Sequence, residues 1–193
     1  MKREIPAGWR TDSVFNAYDV IYGYPFSTEG FDEIDLEQSN YSYKVIRIRD
    51  IQNNTYSAKT NELVLDKYLT KAGDLLIGMD GYFYMNIWTR DGEYVNQRIA
   101  RVRQINLSTL LLKYQIAPAI KLKESQSKGS TVGHLSDKDL KGLNVIIPNN
   151  NSITKQFDLL SINIIIRKQE IAYLTAHRDR LLPLLMNGQV EVR

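Results

Sequence analysis

Three consecutive residues, Asn96, Gln97 and Arg98, carry side chains that can read the edges of nucleic-acid bases. An arginine guanidinium donates two parallel hydrogen bonds to guanine, and the amides of asparagine and glutamine form paired hydrogen bonds with adenine. An Asn-Gln pair is also common in turns. We predict that Asn96, Gln97 and Arg98 contact bases.

A second group of candidates suits phosphate. Lys128, Gly129, Ser130 and Thr131 supply an amine, two hydroxyls and a glycine that lets the backbone approach closely, and such groups donate to phosphate oxygens. His134 follows shortly afterwards and joins the same predicted surface.

Twelve tyrosines add aromatic surface, several of them in pairs. We place Tyr82 and Tyr84 at the nucleic acid, although the sequence does not decide between this pair and Tyr22 with Tyr24.

Catalytic and metal-binding patterns are missing from the sequence. It has no cysteine and only two histidines, His134 and His177, without carboxylates at metal-ligand spacing, so no metal site is predicted. Glycine-rich phosphate loops, a serine-hydrolase elbow and the Asn/Asp-Pro-Pro-Tyr/Phe tetrad of adenine methyltransferases are also missing. We therefore expect a protein without catalytic residues and without a cofactor of its own. A cryptic nuclease is the weakest alternative.

Charge is distributed unevenly along the chain. Residues 1–97 carry 10 Lys/Arg and 15 Asp/Glu, whereas residues 98–151 carry 9 and 3. A basic region suits phosphate, because neutralised phosphates release counterions, although it can equally be a solvated face. No apolar run reaches the roughly 18 residues of a membrane span, and none follows the basic N-terminus as in a secretory signal, so we expect a cytoplasmic protein.

The first 150 residues predict a compact α+β domain. Alternating or bounded apolar runs indicate strands at 44–49, 75–79, 98–102 and 144–147. A helix is predicted at 107–122, where Pro118 should bend or end it, and Ser136 with Asp139 resembles a capping box.

Residues 151–193 differ from the preceding part in their sequence pattern, because no helix-breaking residue follows the turn at 148–152 until Pro183. Positions alternately four and three apart are mostly apolar, which is typical of a coiled-coil seam about four heptads long. The corresponding helix would be about 45 Å long. A lone helix would leave this stripe exposed, so it packs either on its own domain or on another helix, and we favour another helix. The predicted dimer seam contains Ile153, Phe157, Leu160, Ile164, Ile171, Leu174 and Leu181, interrupted by Arg167 and Arg178.

Motifs in a fixed order along nearly the whole chain resemble the specificity subunits of type I restriction–modification systems. They are Ile5-Pro6-x-Gly8-Trp9, Gly73-Asp74-Leu75-Leu76-Ile77 with Gly81, Asn96-Gln97-Arg98-Ile99, Gly129-Ser130-Thr131-x-x-His134-Leu135-Ser136, Val145-Ile146-Ile147-Pro148, and Arg178-Asp179-x-Leu181-Leu182-Pro183-x-Leu185-Met186-x-Gly188-Gln189-Val190.

The resemblance implies a target-recognition domain, residues 1–150, followed by a helix and tail, residues 151–193, that forms an antiparallel coiled coil. Partners would be double-stranded DNA, methyltransferase subunits and, through the complex, a restriction subunit. S-adenosylmethionine would be bound by the methyltransferase subunit and not by this chain.

The chain departs from the family in holding one such unit where a typical subunit has two. It is either a natural half-subunit, which the initial Met and the C-terminal motif favour, or a shortened form. A half-subunit would form a homodimer through the helix and read a bipartite, palindromic target. Its partner could also be another half-subunit, and neither the target sequence nor the spacer can be read from the chain. Two alternatives are a helix-mediated adaptor or decoy that binds the methyltransferase without reading DNA, and the detached recognition domain of a fused enzyme.

Overall fold

The computed structural model describes residues 5–27, 42–127 and 133–189. The strands are β1 (Arg10–Ser13), β2 (Tyr18–Tyr22), β3 (Tyr43–Ile46), β4 (Ala58–Thr60), β5 (Leu75–Gly78), β6 (Met85–Ile87), β7 (Tyr94–Val95), β8 (Ile99–Gln104) and β9 (Asn144–Ile147). The helices are α1 (Val14–Ala17), α2 (Thr109–Ser127), α3 (Asp137–Lys141) and α4 (Asn151–Met186). The predicted α+β class with a long C-terminal helix is confirmed.

A four-stranded antiparallel sheet, in the order β2-β8-β5-β6, forms the centre of the domain. Every residue of β5 is buried because both faces of the sheet are covered. Leu75 and Ile77 belong to the main core cluster on one face, and Leu76 packs with Trp88 and Ile99 in a second cluster on the other. The uninterrupted apolar run that predicted a buried strand therefore reflects two packed faces.

Two smaller sheets complete the domain. Strand β3 lies between β4 and β7 and runs parallel to β7, and β1 pairs antiparallel with β9. Strand β3 ends at Ile46, earlier than the predicted strand 44–49, and a 3-10 turn covers Ile48–Asp50. The buried carboxylate of Asp50 accepts hydrogen bonds from the backbone N–H of Arg47 and the hydroxyl of Ser57, and this turns the chain away from the sheet.

The Gly73-Asp74 pair begins β5 for a clear physical reason. Gly73 has φ +96°, a left-handed conformation that glycine adopts without steric cost. Asp74 is 2% exposed, accepts from the backbone N–H of Lys71, and receives two hydrogen bonds of 2.7 and 2.8 Å from the Arg103 guanidinium. This turn therefore ties β5 to its neighbour β8.

Helix α2 continues past Pro118, so the proline does not end the helix, which was one of its two expected effects. Pro118 lies on the exposed side, whereas Leu112, Ile116 and Ile120 are spaced four apart and buried in the main core. Burial of this stripe outweighs the missing hydrogen bond at the proline. The amide of Gln115 also pairs with both backbone groups of Ile146 and anchors α2 to β9.

Helix α4 begins after Asn150, whose side-chain oxygen accepts from the N–H of Ser152, and it extends through Pro183. Its 36 residues correspond to about 54 Å, longer than predicted. In its first half, Thr154 and Ser161 are buried and Phe157 packs on the main core. Every residue from 169 to 183 is exposed.

The predicted seam therefore divides into two parts. Phe157 and Ile164 pack on the main core of their own chain and Ile153 is half-buried, so the prediction that one continuous stripe faces a second helix does not hold for this part. The reading in which the helix packs on its own domain applies there, because the body-facing stripe passes through Thr154, Phe157 and Ser161. Leu160, Ile171, Leu174 and Leu181 remain exposed.

Candidate nucleic-acid interface

One end of the central sheet brings together segments that are distant in sequence. Strands β2 and β5 end there, at Tyr22 and Gly78, and strands β6 and β8 begin there. The loop 79–84, the turn 96–98 and the segment 133–136 meet at this end. We call it the loop end of the sheet.

The turn 96–98 is held by backbone hydrogen bonds. The N–H of Gln97 donates to the carbonyl of Tyr24 and also to the side-chain oxygen of Asn96, at 2.9 and 2.8 Å. The N–H of Met79 donates to the carbonyl of Arg98 at 2.8 Å. Gln97 and Arg98 are exposed, whereas Asn96 is half-buried and uses its oxygen to form the turn. Gln97 and Arg98 are thus better placed than Asn96 to contact a ligand.

Arg98 has φ +68°, a left-handed backbone conformation that is costly for a residue with a Cβ atom. Strain of this kind persists only where the surrounding structure enforces it, and it concentrates at functional sites. The strained backbone projects a side chain that is 55% exposed. At position 98 the chain therefore accepts a strained backbone that exposes the arginine side chain to solvent.

Gly23 lets β2 pass close to this turn. A Cβ atom at position 23 would lie 2.0 Å from the carbonyl oxygen of Asn96, which is backbone and cannot move aside alone. The N–H of Gly23 donates to the carbonyl of Ile99 at 2.9 Å. Glycine is therefore required here by close approach and not by a positive φ.

Two clefts flank the turn 96–98. One, of about 310 Å³, is lined by Arg47, Arg49 and Arg98 together with Asn96 and Gln97. The other, of about 350 Å³, is lined on its far side by Tyr22, Met79, His134 and Asp137. Three arginines thus converge on one side of the turn, a typical arrangement for binding phosphate or base edges.

Arg47 and Arg49 were missed by the sequence reasoning, because the alternation at 44–49 was assigned to a regular strand. The 3-10 turn at Ile48–Asp50 brings them to the loop end instead. Ile48 packs over Gly78, where a Cβ atom would lie 3.0 Å from its Cγ2. The only signal in the sequence was Asp50, a short polar residue able to turn the chain.

The carboxylate of Asp80 lies between two predicted interface residues. Its Oδ2 is 3.4 Å from Nε of Arg98, and its Oδ1 is 2.6 Å from Nδ1 of His134. Backbone pairing of Asp80 with His134 as an isolated bridge fixes this arrangement. Arg98 and His134, 36 positions apart in sequence, therefore share one acidic partner.

The two tyrosine pairs have different environments. Tyr82 is 61% exposed, and its ring stacks at 5.6 Å on that of Tyr84, which is half-buried against the Trp88 cluster. The hydroxyl of Tyr22 donates to Asp137 at 2.5 Å, and burial together with this bond raises the pKa of Tyr22. The side chain of Tyr24 is hydrogen-bonded to Glu62, and this hydrogen bond raises the pKa of Tyr24. Tyr82 is the most accessible of the four.

The predicted phosphate-binding residues Lys128, Gly129, Ser130 and Thr131 lie outside the described residues. The capping box that follows them is confirmed: the hydroxyl of Ser136 accepts from the N–H of Asp139, and the Asp139 carboxylate accepts from the N–H of Ser136. The ammonium of Lys123, 2.8 Å away, and these hydrogen bonds lower the pKa of Asp139 to about 2.

Within residues 5–27, 42–127 and 133–189, no group of three or more potential ligands could hold a metal ion. In the same part of the chain, no helix combines the length and apolarity that crossing a bilayer demands.

Comparison with known proteins supports a family assignment. The family model described as the type I restriction modification DNA specificity domain matches residues 28–176. The curated specificity subunit of the type I restriction enzyme EcoBI from Escherichia coli is 22% identical over 142 residues, which cover 72% of this chain and 29% of that protein.

Solved structures show the same fold at low sequence identity. The HsdS subunit from Thermoanaerobacter tengcongensis aligns over 93% of this chain and 41% of its own, with 17% identity and a TM-score of 0.55. The S subunit of the type I restriction–modification system from M. genitalium aligns over 95% and 45%, with 13% identity and a TM-score of 0.61.

The chain spans less than half the length of each of these relatives. The predicted resemblance is confirmed, since the matched residues cover most of the chain. This chain belongs to the family of type I restriction modification DNA specificity domains.

Proposed function

We propose that this chain recognises a specific sequence in double-stranded DNA and directs methyltransferase and restriction subunits to it. The observation that carries the proposal is the convergence of Arg47, Arg49, Arg98 and Gln97 on one cleft at the loop end of the sheet. The chain itself has no catalytic role in this proposal. S-adenosylmethionine belongs to the methyltransferase subunit.

Phosphate and base contacts fall to different residues of the loop end. Arg47 and Arg49 are carried by a turn at the rim, and they neutralise phosphates and fix the position of the duplex. Arg98 and Gln97 stand at the tip of the turn between the two clefts and meet base edges in the major groove. Tyr82 and His134 lie beside them and add an exposed ring face and an imidazole.

Helix α4 supplies the second part of the proposed function. Its exposed apolar side chains Leu160, Ile171, Leu174 and Leu181 pair with the same side chains of a second copy in an antiparallel coiled coil. Two-fold symmetry in the protein then requires a bipartite, palindromic target in the DNA.

The test is single-molecule methylome sequencing of a host that carries this gene with its cognate methyltransferase subunit, compared with a strain lacking the gene. Loss of a split, palindromic adenine-methylation motif together with the gene is the expected result. An asymmetric motif would replace the homodimer with a pair of different half-subunits. An unchanged methylome would overturn DNA recognition.

The exposed second half of α4 also favours a different function, that of an adaptor which binds the methyltransferase through this helix without reading DNA. Binding to a duplex separates the two functions. DNA recognition through arginines requires an affinity that falls steeply as salt rises, whereas an adaptor shows no such binding.

A further inference from the structure

Asp80 is placed by the backbone, independently of the charges around it. The N–H of Met79 donates to the carbonyl of Arg98, the N–H of Leu135 donates to the carbonyl of Met79, and the N–H of Gly81 donates to the carbonyl of Gly133, at 2.7 to 2.8 Å. These bonds hold the segments that carry Arg98 and His134 on either side of Asp80. A substitution that changes only the Asp80 carboxylate leaves all three bonds in place.

The contact with Asp80 uses a particular part of the Arg98 guanidinium. Asp80 Oδ2 approaches Nε, at 3.4 Å, and this leaves the edge formed by the two terminal nitrogens to donate elsewhere. That edge has the geometry for paired hydrogen bonds to O6 and N7 of guanine. A long arginine side chain otherwise loses considerable rotamer entropy when it is fixed for such a contact.

His134 holds the same carboxylate from the other side, with Nδ1 at 2.6 Å from Oδ1. The side chains of Asp80 and His134 are 31% and 49% exposed, so the group lies at the surface where a duplex can reach it. A carboxylate at such a surface repels phosphate, so its direct electrostatic effect is to weaken binding to every duplex.

We propose that Asp80 is a positioning residue that orients Arg98 toward a guanine at one position of the DNA target. This inference rests on the proposed function and assigns a part of its specificity. It predicts an unusual combination of effects for Asp80→Asn, which keeps the size of the side chain and removes its charge. Affinity for unrelated DNA rises because a negative charge is lost, while preference for the G·C pair at one position falls about tenfold, the scale of one bidentate contact.

A purely structural role for Asp80 gives a different pattern. In that case Asp80→Asn lowers the melting temperature and weakens binding to all duplexes by a similar factor. Asp12 provides a matched control, because its carboxylate pairs with Arg10 at 3.3 Å but lies on β1, outside the loop end.

The experiment is selection of binding sites from a randomised duplex library by the full chain, followed by affinity measurements on the selected site and on its single-base variants. The proteins compared are the unaltered chain, Asp80→Asn, Arg98→Lys, the double variant and Asp12→Asn. The expected result is that Asp80→Asn and Arg98→Lys lose preference at the same base pair. The double variant loses no more than either single variant, and Asp12→Asn selects the unaltered motif.

Three outcomes would contradict the inference. If the unaltered chain selects a motif that Asp80→Asn retains at every position, the positioning role is wrong and the proposed function stands. The same holds if Asp80→Asn weakens all positions equally. If the unaltered chain selects no motif, the proposed function itself fails and the positioning role fails with it.

Discussion

The ammonium group of Lys168, on α4, lies 2.7 Å from the side-chain oxygen of Asn86, on β6. Nδ2 of the same Asn86 donates to the carbonyl oxygens of Ile51 and Gln52, each at 3.0 Å. One amide therefore joins the long helix to the segment that follows the 3-10 turn at Ile48–Asp50. Burial, and the nearby charge of Lys113, lower the pKa of Lys168.

Asn86→Ala is expected to destabilise the domain by about 1–3 kcal/mol, because it leaves the buried backbone carbonyl of Ile51 without this donor. Equilibrium denaturation in urea measures the effect. Asn106 is exposed, so Asn106→Ala serves as the control and should change stability by less than about 0.5 kcal/mol. Equal stabilities of the two variants would show that the Asn86 bonds contribute nothing net.

Arg98→Gly should be more stable than Arg98→Ala by about 0.5–1 kcal/mol, because glycine adopts φ +68° without the steric cost of a Cβ atom. The greater freedom of glycine in the unfolded chain reduces this gain. Both variants are expected to lose base discrimination, so Arg98→Gly should be the more stable of the two without being the better at recognition. Thermal melting and duplex titration measure the two effects. Asn54 also has a positive φ, and Asn54→Gly should retain DNA recognition.

Arg47→Gln and Arg49→Gln should each reduce the dependence of log affinity on log salt by about one unit, the effect of removing one phosphate contact. Titrations of one duplex over a range of salt concentrations give the slopes. Arg178 lies on the exposed part of α4, so Arg178→Gln should leave the slope unchanged. Equal slopes for all three variants would show that Arg47 and Arg49 do not contact phosphate.

Leu174→Glu should convert the proposed dimer to a monomer at micromolar concentration, because it places a carboxylate in the proposed apolar seam. The fold should be retained, since Leu174 is 57% exposed and contributes to folding less than a buried leucine. Sedimentation equilibrium gives the mass. Phe157→Ala is the contrasting variant: it should lower stability by about 2 kcal/mol, since its ring packs on the core, and leave the dimer intact. A monomeric unaltered chain would rule out self-association through α4.

Lowering the pH from about 4 to about 2 should remove the stabilising contribution of the Asp139 carboxylate to the N-terminal cap of α3. The pKa of Asp139 is lowered to about 2 by Lys123 and Ser136, so its stabilising contribution is complete above the unfolded-state pKa and lost as pH falls through the folded one. The difference in melting temperature between the unaltered chain and Asp139→Asn should therefore shrink over this interval. A constant difference would mean that the carboxylate charge has no role in the cap.

The sequence pattern over a few neighbouring residues was enough to predict elements whose burial or capping depends on those same residues. The buried run at β5 and the Ser136 cap are examples, because both faces of a strand or both ends of a capping box are encoded locally. The expectation that Pro118 could end α2 was wrong, because it considered the cost of the proline without the buried stripe of α2 that outweighs this cost.

The candidate site was less predictable, since it depends on segments that meet only in the folded chain. Gln97 and Arg98 were selected as candidates by residue type, but the contact of Arg98 with Asp80 depends on pairing between remote segments. Arg47 and Arg49 looked like ordinary strand residues. The seam on α4 was read as one stripe because periodicity does not show which neighbour a face meets, and its first half meets the domain itself.

The attachment of α4 also sets a rule of phase for changes in its length. Since the first half is fixed to the domain, each residue inserted after Gln169 rotates everything beyond it by about 100° and advances it by about 1.5 Å. An insertion of seven residues restores nearly the original angle and adds about 10.5 Å, close to three base-pair steps. Length changes in this part of the helix that keep the same face toward a partner should therefore lie close to whole numbers of helical turns, as insertions of seven or eleven residues do.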